Sequence, residues 1–200
     1  MARRPLETRR KILDAAFWEI YRNGFHGASI DRILQGTSIT KGALFHHFPN
    51  KLQLGYAVVD DPVRAWVHEH WIAPLAGVTD PAAGIAAAVR AFLDGSPEEI
   101  VHGGCPLNNL AQEMAGIDEG FRIRLEAVAG EWRSAVADTW RRGYGDRSPD
   151  VMDADDLAYF VVAAIHGVLG SAKACKSRAH AERATVAFTE ALGRLVISPR

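Results

Sequence analysis

The chain has 200 residues, 48% of them hydrophobic, with a formal net charge of −1 and two cysteines. That much apolar content excludes a disordered chain and suffices for one large domain or a small one joined to a larger one, while two cysteines are too few for a disulfide framework. No apolar run approaches the ~20 residues of a membrane span, and the N-terminus lacks a signal peptide's apolar stretch, so a cytoplasmic protein with no membrane partner is expected.

Residues 6–22 place Ile12, Leu13, Ala16, Phe17 and Ile20 on one stripe, which predicts a helix ended by Asn23-Gly24, residues suited to a left-handed cap. Residues 29–48 then read as a helix-turn-helix. Its first helix runs from about Ile30 to Gln35 with Ser29 as N-cap and with Ile30, Ile33 and Leu34 inward; Gly36-Thr37-Ser38 breaks it. The second helix begins near Thr40, again a hydroxyl cap, and presents Lys41, Gly42 and Ala43 on its first turn while Leu44 and Phe48 point into the core.

Those residue types suit a major groove. Small residues at the front of the second helix permit close approach, and a lysine there can donate to guanine or to phosphate. Helix N-termini at Ser29 and Thr40 offer backbone N–H groups to phosphate oxygens. Lys51 opens the next helix, where the dipole disfavours a cation and a phosphate would offset the cost. Charge agrees with this placement. Residues 1–51 hold nine Lys or Arg against four acids, a net of +5, and residues 52–200 carry a net of −6. As a group, Arg3, Arg4, Arg9, Arg10 and Lys11 form a candidate phosphate-contacting arm.

From Lys51 a helical pattern runs toward Ala73, with Pro62 expected to kink or restart it as a joint between two domains, 1–51 and 52–200. Pro81 to Leu93 reads as a helix, Pro97 to Gly104 as a loop, Pro106 to Ala115 as a helix, and Phe121 to Gly143 as a long helix. Tyr144 to Pro149 is rich in turn formers, and two helices follow, Asp153 to Lys173 and Ala179 to Val196. The expected fold class is all-α.

Specific residues tie the first quarter of the chain to one family. Thr8-Arg9-Arg10, Ile12-Leu13, Ala15-Ala16, Gly24-Phe25, Ser29, Lys41-Gly42-Ala43-Leu44-Phe45-His46-His47-Phe48 and Lys51 resemble the DNA-binding domain of TetR-family transcriptional regulators. The resemblance implies a three-helix DNA-binding domain followed by a larger helical ligand-binding and dimerisation domain. It implies contacts to double-stranded DNA from Ser29, Ile30, Thr40, Lys41, Gly42, Ala43, Phe45, His46 and Lys51. It also implies a homodimer on a pseudo-palindromic operator, a repressor's role, and a small-molecule effector.

The dimer would be built on the last two helices, through Phe160, Ala164, Ile165, Val168, Phe188, Leu192 and Leu195. Candidate effector-pocket residues are Trp66, Phe92, Asn108, Gln112, Phe121, Trp132 and His166. Two departures from the family pattern stand out. Thr37-Ser38 occupies the turn where Ala-Gly is usual, and Phe45 replaces a common tyrosine, keeping its packing and losing its hydroxyl.

Cys105, between Gly104 and Pro106, adds an alternative. A proline at the first helical position makes Cys105 the N-cap, where dipole and free N–H groups favour a thiolate, so it would serve as an electrophile or redox sensor with Cys175, Lys173 or Lys176 as partners. The bland reading is a small residue packed at a helix start. A different class, an all-helical enzyme or adaptor, finds little support. His68-Glu69-His70 cannot share a metal from one helix, no HExxH, phosphate loop or nucleophile elbow occurs, and neither cofactor nor metal is expected.

Overall fold

The computed structural model describes residues 3–145 and 152–196, and every regular element among them is helical. In chain order the α-helices are α1 (Arg3–Gly27), α2 (Ile30–Leu34), α3 (Lys41–His47), α4 (Lys51–Val58), α5 (Arg64–Val67), α6 (Pro81–Gly95), α7 (Glu98–Gly103), α8 (Pro106–Met114), α9 (Glu119–Tyr144), α10 (Ala154–Cys175) and α11 (Arg178–Val196), with π-type turns at Val59–Val63 and His68–Ile72 and a 3-10 turn at Ala73–Leu75. They gather into two compact units, Met1–Trp66 with Pro106–Val128, and Val67–Cys105 with Ala129–Arg200. The turn formers at 146–149 and the side chains of Arg3 and Arg4 lie outside the described residues.

In the first unit the predicted stripe of α1 is buried, with Ile12, Leu13, Ala16, Phe17 and Ile20 all 7% exposed or less. The helix breaks at Gly24, whose φ of 73° and ψ of 167° are accessible to glycine, and one further turn follows. The α4 helix is capped by Asn50, whose Oδ1 accepts the Gln53 N–H at 2.8 Å. Pro62 neither ends the helical path nor opens a loop. Residues Val59–Val63 form a widened π-type turn that takes up the missing donor, so the backbone stays helical into α5.

Two segments distant in sequence complete this unit. The α8 helix packs along α1, and Asp118 caps α9 by accepting the Phe121 N–H at 2.8 Å and the Tyr56 hydroxyl at 2.7 Å. Those bonds hold the Asp118 carboxyl below its ordinary range and the Tyr56 phenol above its own. Phe121, fully buried, stands edge-on to Phe25 at 4.8 Å and to Tyr56 at 5.1 Å.

In the second unit α6 and α10 both pack on α11, and α10 also meets α7. The sequence predicts a loop over 97–104, whereas residues 98–103 form α7. Glu98 and Glu99 in its first turn and His102 in its last suit the helix dipole, a signal legible behind Pro97. Arg178 holds the corner: its Nε pairs with Glu98 at 2.5 Å, and its terminal nitrogens donate to the Ser96 carbonyl at 2.6 Å and to the Leu93 carbonyl. Carbonyls at the end of α6 that lack helical donors are thereby satisfied.

The α10 helix is the most apolar segment among the described residues, although Asp155, Asp156, His166 and Lys173 interrupt it. It has 22 residues and contains an 18-residue stretch with a mean hydropathy of 1.5, sufficient by length and composition alone. Its apolar character has a local use, because Val161, Ile165, Val168 and Leu169 are buried in the unit's own core.

One close approach in the first unit is directly testable. A Cβ on Gly55 would lie 2.5 Å from the Phe25 ring and 2.7 Å from the Phe121 ring. Gly55→Ala is expected to destabilise the protein by about 1–3 kcal/mol through overpacking, seen as a lower midpoint in denaturant unfolding.

Candidate nucleic-acid interface

Both predicted caps form. Ser29 Oγ accepts the Arg32 N–H at 3.2 Å, and Thr40 Oγ1 accepts the Ala43 N–H at 3.1 Å. In the turn between, Gly36 takes the left-handed conformation at φ 78°, so Ser38 does not have to. Thr37 stabilises the altered turn with its own side chain, donating to the Leu34 carbonyl at 2.8 Å and accepting the Ile39 N–H at 3.2 Å.

The α3 helix turns Leu44 and Phe48 inward, at 0% and 3% exposure, and leaves Lys41, Gly42, Phe45 and His46 exposed. Positions i, i+1, i+4 and i+5 of a helix form one face, so these four constitute a single surface. Ala43, Ser29 and Ile30 are half-buried beside it, and Thr40 is exposed. Lys41 Nζ lies 2.6 Å from Asp31 of α2, an exposed pair that water and salt weaken. Phe45 is 44% exposed, so the packing expected of it is incomplete.

Lys51 has an internal partner that the sequence does not reveal. Its Nζ donates to the His26 carbonyl at 3.2 Å and sits 4.8 Å above the Phe25 ring, which balances the unfavourable dipole without a phosphate. Arg9 is likewise engaged, 3.5 Å from Asp61 and 5.4 Å from the Phe48 ring centre.

Glu113 of α8 is one residue that sequence reasoning missed altogether. Its carboxylate accepts the Phe25 and His26 N–H groups, both at 2.7 Å, and lies 3.0 Å from His26 Nδ1. Burial is the largest single influence and opposes its charge, but the His26 and Phe25 backbone donors together with the His26 side chain outweigh it, and its pKa falls below the ordinary glutamate value.

The proposed effector-pocket residues divide between the units. In the first, Phe121 belongs to the core around Phe25 and Tyr56, Gln112 is exposed, and Trp66 and Asn108 are half-buried. In the second, Trp132 stacks on Trp71 at 5.5 Å, meets His166 edge-on at 5.3 Å, and Trp71 contacts Phe92 at 5.1 Å. The space lined by Trp71, Leu75, Ile85, Trp132, Val136 and Ile165 measures about 10 Å³, room for about one water. His166 is half-buried, its Nε2 buried without a hydrogen-bond partner among the described residues, and burial lowers its pKa from 6.5 to about 4.

Cys105 immediately precedes α8 but is 2% exposed, which withholds the access that reaction with an electrophile needs. Cys175 is exposed. Of the residues assigned to a dimer face, Ile165, Val168, Phe188 and Leu192 are buried within the chain, at 6% exposure or less. Helical spacing alone does not tell an outer apolar face from an inner one, and these four serve the inner one. Phe160, Ala164 and Leu195 are half-buried.

Comparison with known proteins agrees with this geometry. Residues 12–58 match the model for bacterial regulatory proteins of the tetR family, and residues 81–188 match that for a tetracyclin repressor-like C-terminal domain. A helix-turn-helix-type transcriptional regulator of Lactococcus lactis subsp. lactis is 30% identical over 131 residues, covering 66% of this chain and 67% of its own. A TetR transcriptional regulator from Chloroflexus aurantiacus superposes with a TM-score of 0.81 at 26% identity, covering 96% of both chains. A TetR-family regulator from Cytophaga hutchinsonii superposes with a TM-score of 0.86 at 18% identity over the full length of both.

Two outcomes are expected from this site and its neighbouring unit. A Cβ on Gly42 would meet only Thr40 Oγ1, at 3.9 Å, so the fold itself does not require glycine there. Gly42→Ala should therefore raise the melting temperature, since alanine is favoured by about 0.5–1 kcal/mol within a helix, while weakening binding to duplex DNA by crowding the approach. His166 is neutral when folded and protonates in the unfolded chain below 6.5, so its contribution is complete above that pH and lost as pH falls toward about 4. His166→Leu should show a smaller drop in melting temperature between pH 7 and 5 than the parent protein, as read by circular dichroism.

Proposed function

The chain belongs to the TetR family and is a DNA-binding transcriptional regulator, and on that premise we propose that it is a homodimeric repressor released from a pseudo-palindromic operator by a small-molecule effector. TetR-family regulators bind DNA and act as dimers, and a dimer carries two copies of α3 to two half-sites related by the same two-fold axis. The observation that carries the reading is the exposed face of α3, where Lys41, Gly42, Phe45 and His46 stand together beside the Thr40 cap. Lys41 exchanges Asp31 for a phosphate or a guanine edge, and His46 supplies a second donor. Lys51, tied to the His26 carbonyl, sets the position of the junction between α1 and α2 and keeps further donors for a phosphate.

The dimer is assigned to the outer faces of α10 and α11, where Tyr159 and Val186 remain exposed at 59% and 56%. Effector binding is assigned to the aromatic cluster of Phe92, Trp132 and His166, whose small void means that a ligand must part the Trp71–Trp132 stack to enter. Such a cost is the means by which a ligand favours one conformation over another. The family's regulators work in the cytoplasm in general, and the same location is proposed for this one, with no catalytic step assigned.

Fluorescence anisotropy with a labelled duplex drawn from DNA upstream of the chain's own gene tests the reading. The parent protein should bind with an affinity that falls steeply with salt, and Lys41→Ala should weaken binding and reduce the salt slope by about one. An affinity indifferent to salt and to Lys41 would overturn the proposed contact.

A further inference from the structure

We infer that Phe45 is a specificity-determining residue that reads the C5-methyl group of thymine in the major groove. The inference rests on the DNA-binding reading of α3 and names what one position of that surface recognises.

The ring is a large hydrophobic group left 44% exposed on a helix of seven residues. No aromatic ring of the described residues stacks on it, and its helix neighbours Leu44 and Phe48 are the ones that anchor α3 in the core, at 0% and 3% exposure. The fold therefore does not account for Phe45. The other exposed groups of the same face are Lys41 and His46, both hydrogen-bond donors, and Gly42, which leaves open space. A surface that pairs donors with one apolar group matches a major groove, whose base edges carry acceptors at guanine and adenine and a single kind of apolar group, the thymine methyl.

A phosphate is a poor partner for this side chain, because a phenyl ring has no hydrogen to donate and covering it with a charged oxygen desolvates the anion without return. Methyl contact, in contrast, removes apolar area from water on both sides. Position matters as well. Phe45 lies one helical turn beyond Lys41 on the same face, so when the front of α3 meets one base pair, the ring meets a neighbouring one.

The test uses the full-length protein and DNA in which only the methyl is removed. Binding sites are first selected from a random duplex pool, and each thymine of the selected site is then replaced singly by deoxyuridine. At one thymine in each half-site, the parent protein should bind about four-fold more weakly after replacement, the effect of one buried methyl, while Phe45→Ala should show no penalty there. Phe45→Tyr should retain the methyl penalty. Circular dichroism melts of both variants should match the parent, given the ring's exposure.

If the parent protein tolerates deoxyuridine at every position, or if Phe45→Ala keeps the parent's penalty, the inference is overturned while the DNA-binding reading stands. If Phe45→Ala changes the association state of the free protein and leaves DNA selection intact, the ring serves a protein contact and the inference is again overturned. Failure of the parent protein to enrich any sequence would remove the DNA-binding reading itself.

Discussion

The break at Gly24 interrupts α1 and leaves the N–H groups of Phe25 and His26 without helical acceptors, in a stretch that must still hand the chain on to α2 in a fixed direction. Glu113 answers that need with one carboxylate, 2.7 Å from each nitrogen. Lys51 holds the other end of the same turn through the His26 carbonyl. Between them, an acid from α8 and a base from α4 fix the orientation of the helices that follow. Ser29 is tied into the same region, since Glu19 lies 3.3 Å from its N–H and 2.5 Å from Arg32 Nε. The placement of α3 is thus inherited from a few polar contacts to backbone, in addition to apolar packing.

The reader was largely legible in the sequence because its rules are local. A hydroxyl three residues before the amide it caps, a glycine where φ is positive, and an apolar stripe of helical period all act over a few positions, and Ser29, Thr40, Gly36 and the α1 stripe stand where those rules put them. Glu113 was not legible, because its partners are 87 and 88 residues away and a glutamate in mid-helix reads as solvent-facing. The same holds for Asp118 and Tyr56, 62 residues apart. Phe45 is a mixed case. Helical spacing already sends Leu44 and Phe48 inward, and it is only the packing expected of the ring, carried over from the tyrosine it replaces, that its exposure does not bear out.

The second unit shows where periodicity runs out. Spacing identifies α10 and α11 as apolar helices but does not say which side of each is turned to the chain's own core, and Ile165, Val168, Phe188 and Leu192 are turned inward. Trp71, which packs on both Trp132 and Phe92, was not singled out from the sequence, yet it is the centre of the aromatic cluster. A buried imidazole among such rings stays neutral, and its protonation is a cost set by the packing around it.

The return of residues 106–128 to the first unit gives the chain an interrupted architecture. A fragment that stops at residue 66 keeps the whole exposed face of α3 and still lacks Glu113, Asp118, Phe121 and Arg124. It exposes the Phe25 and His26 amides, the Tyr56 hydroxyl and the Asp60 carboxylate that those residues satisfy, and it uncovers the aromatic surface under Phe121. Grafting this reader onto another body therefore means transplanting two stretches of sequence together. A chimera joined at one point inherits the helices of the motif without the scaffold that aims them.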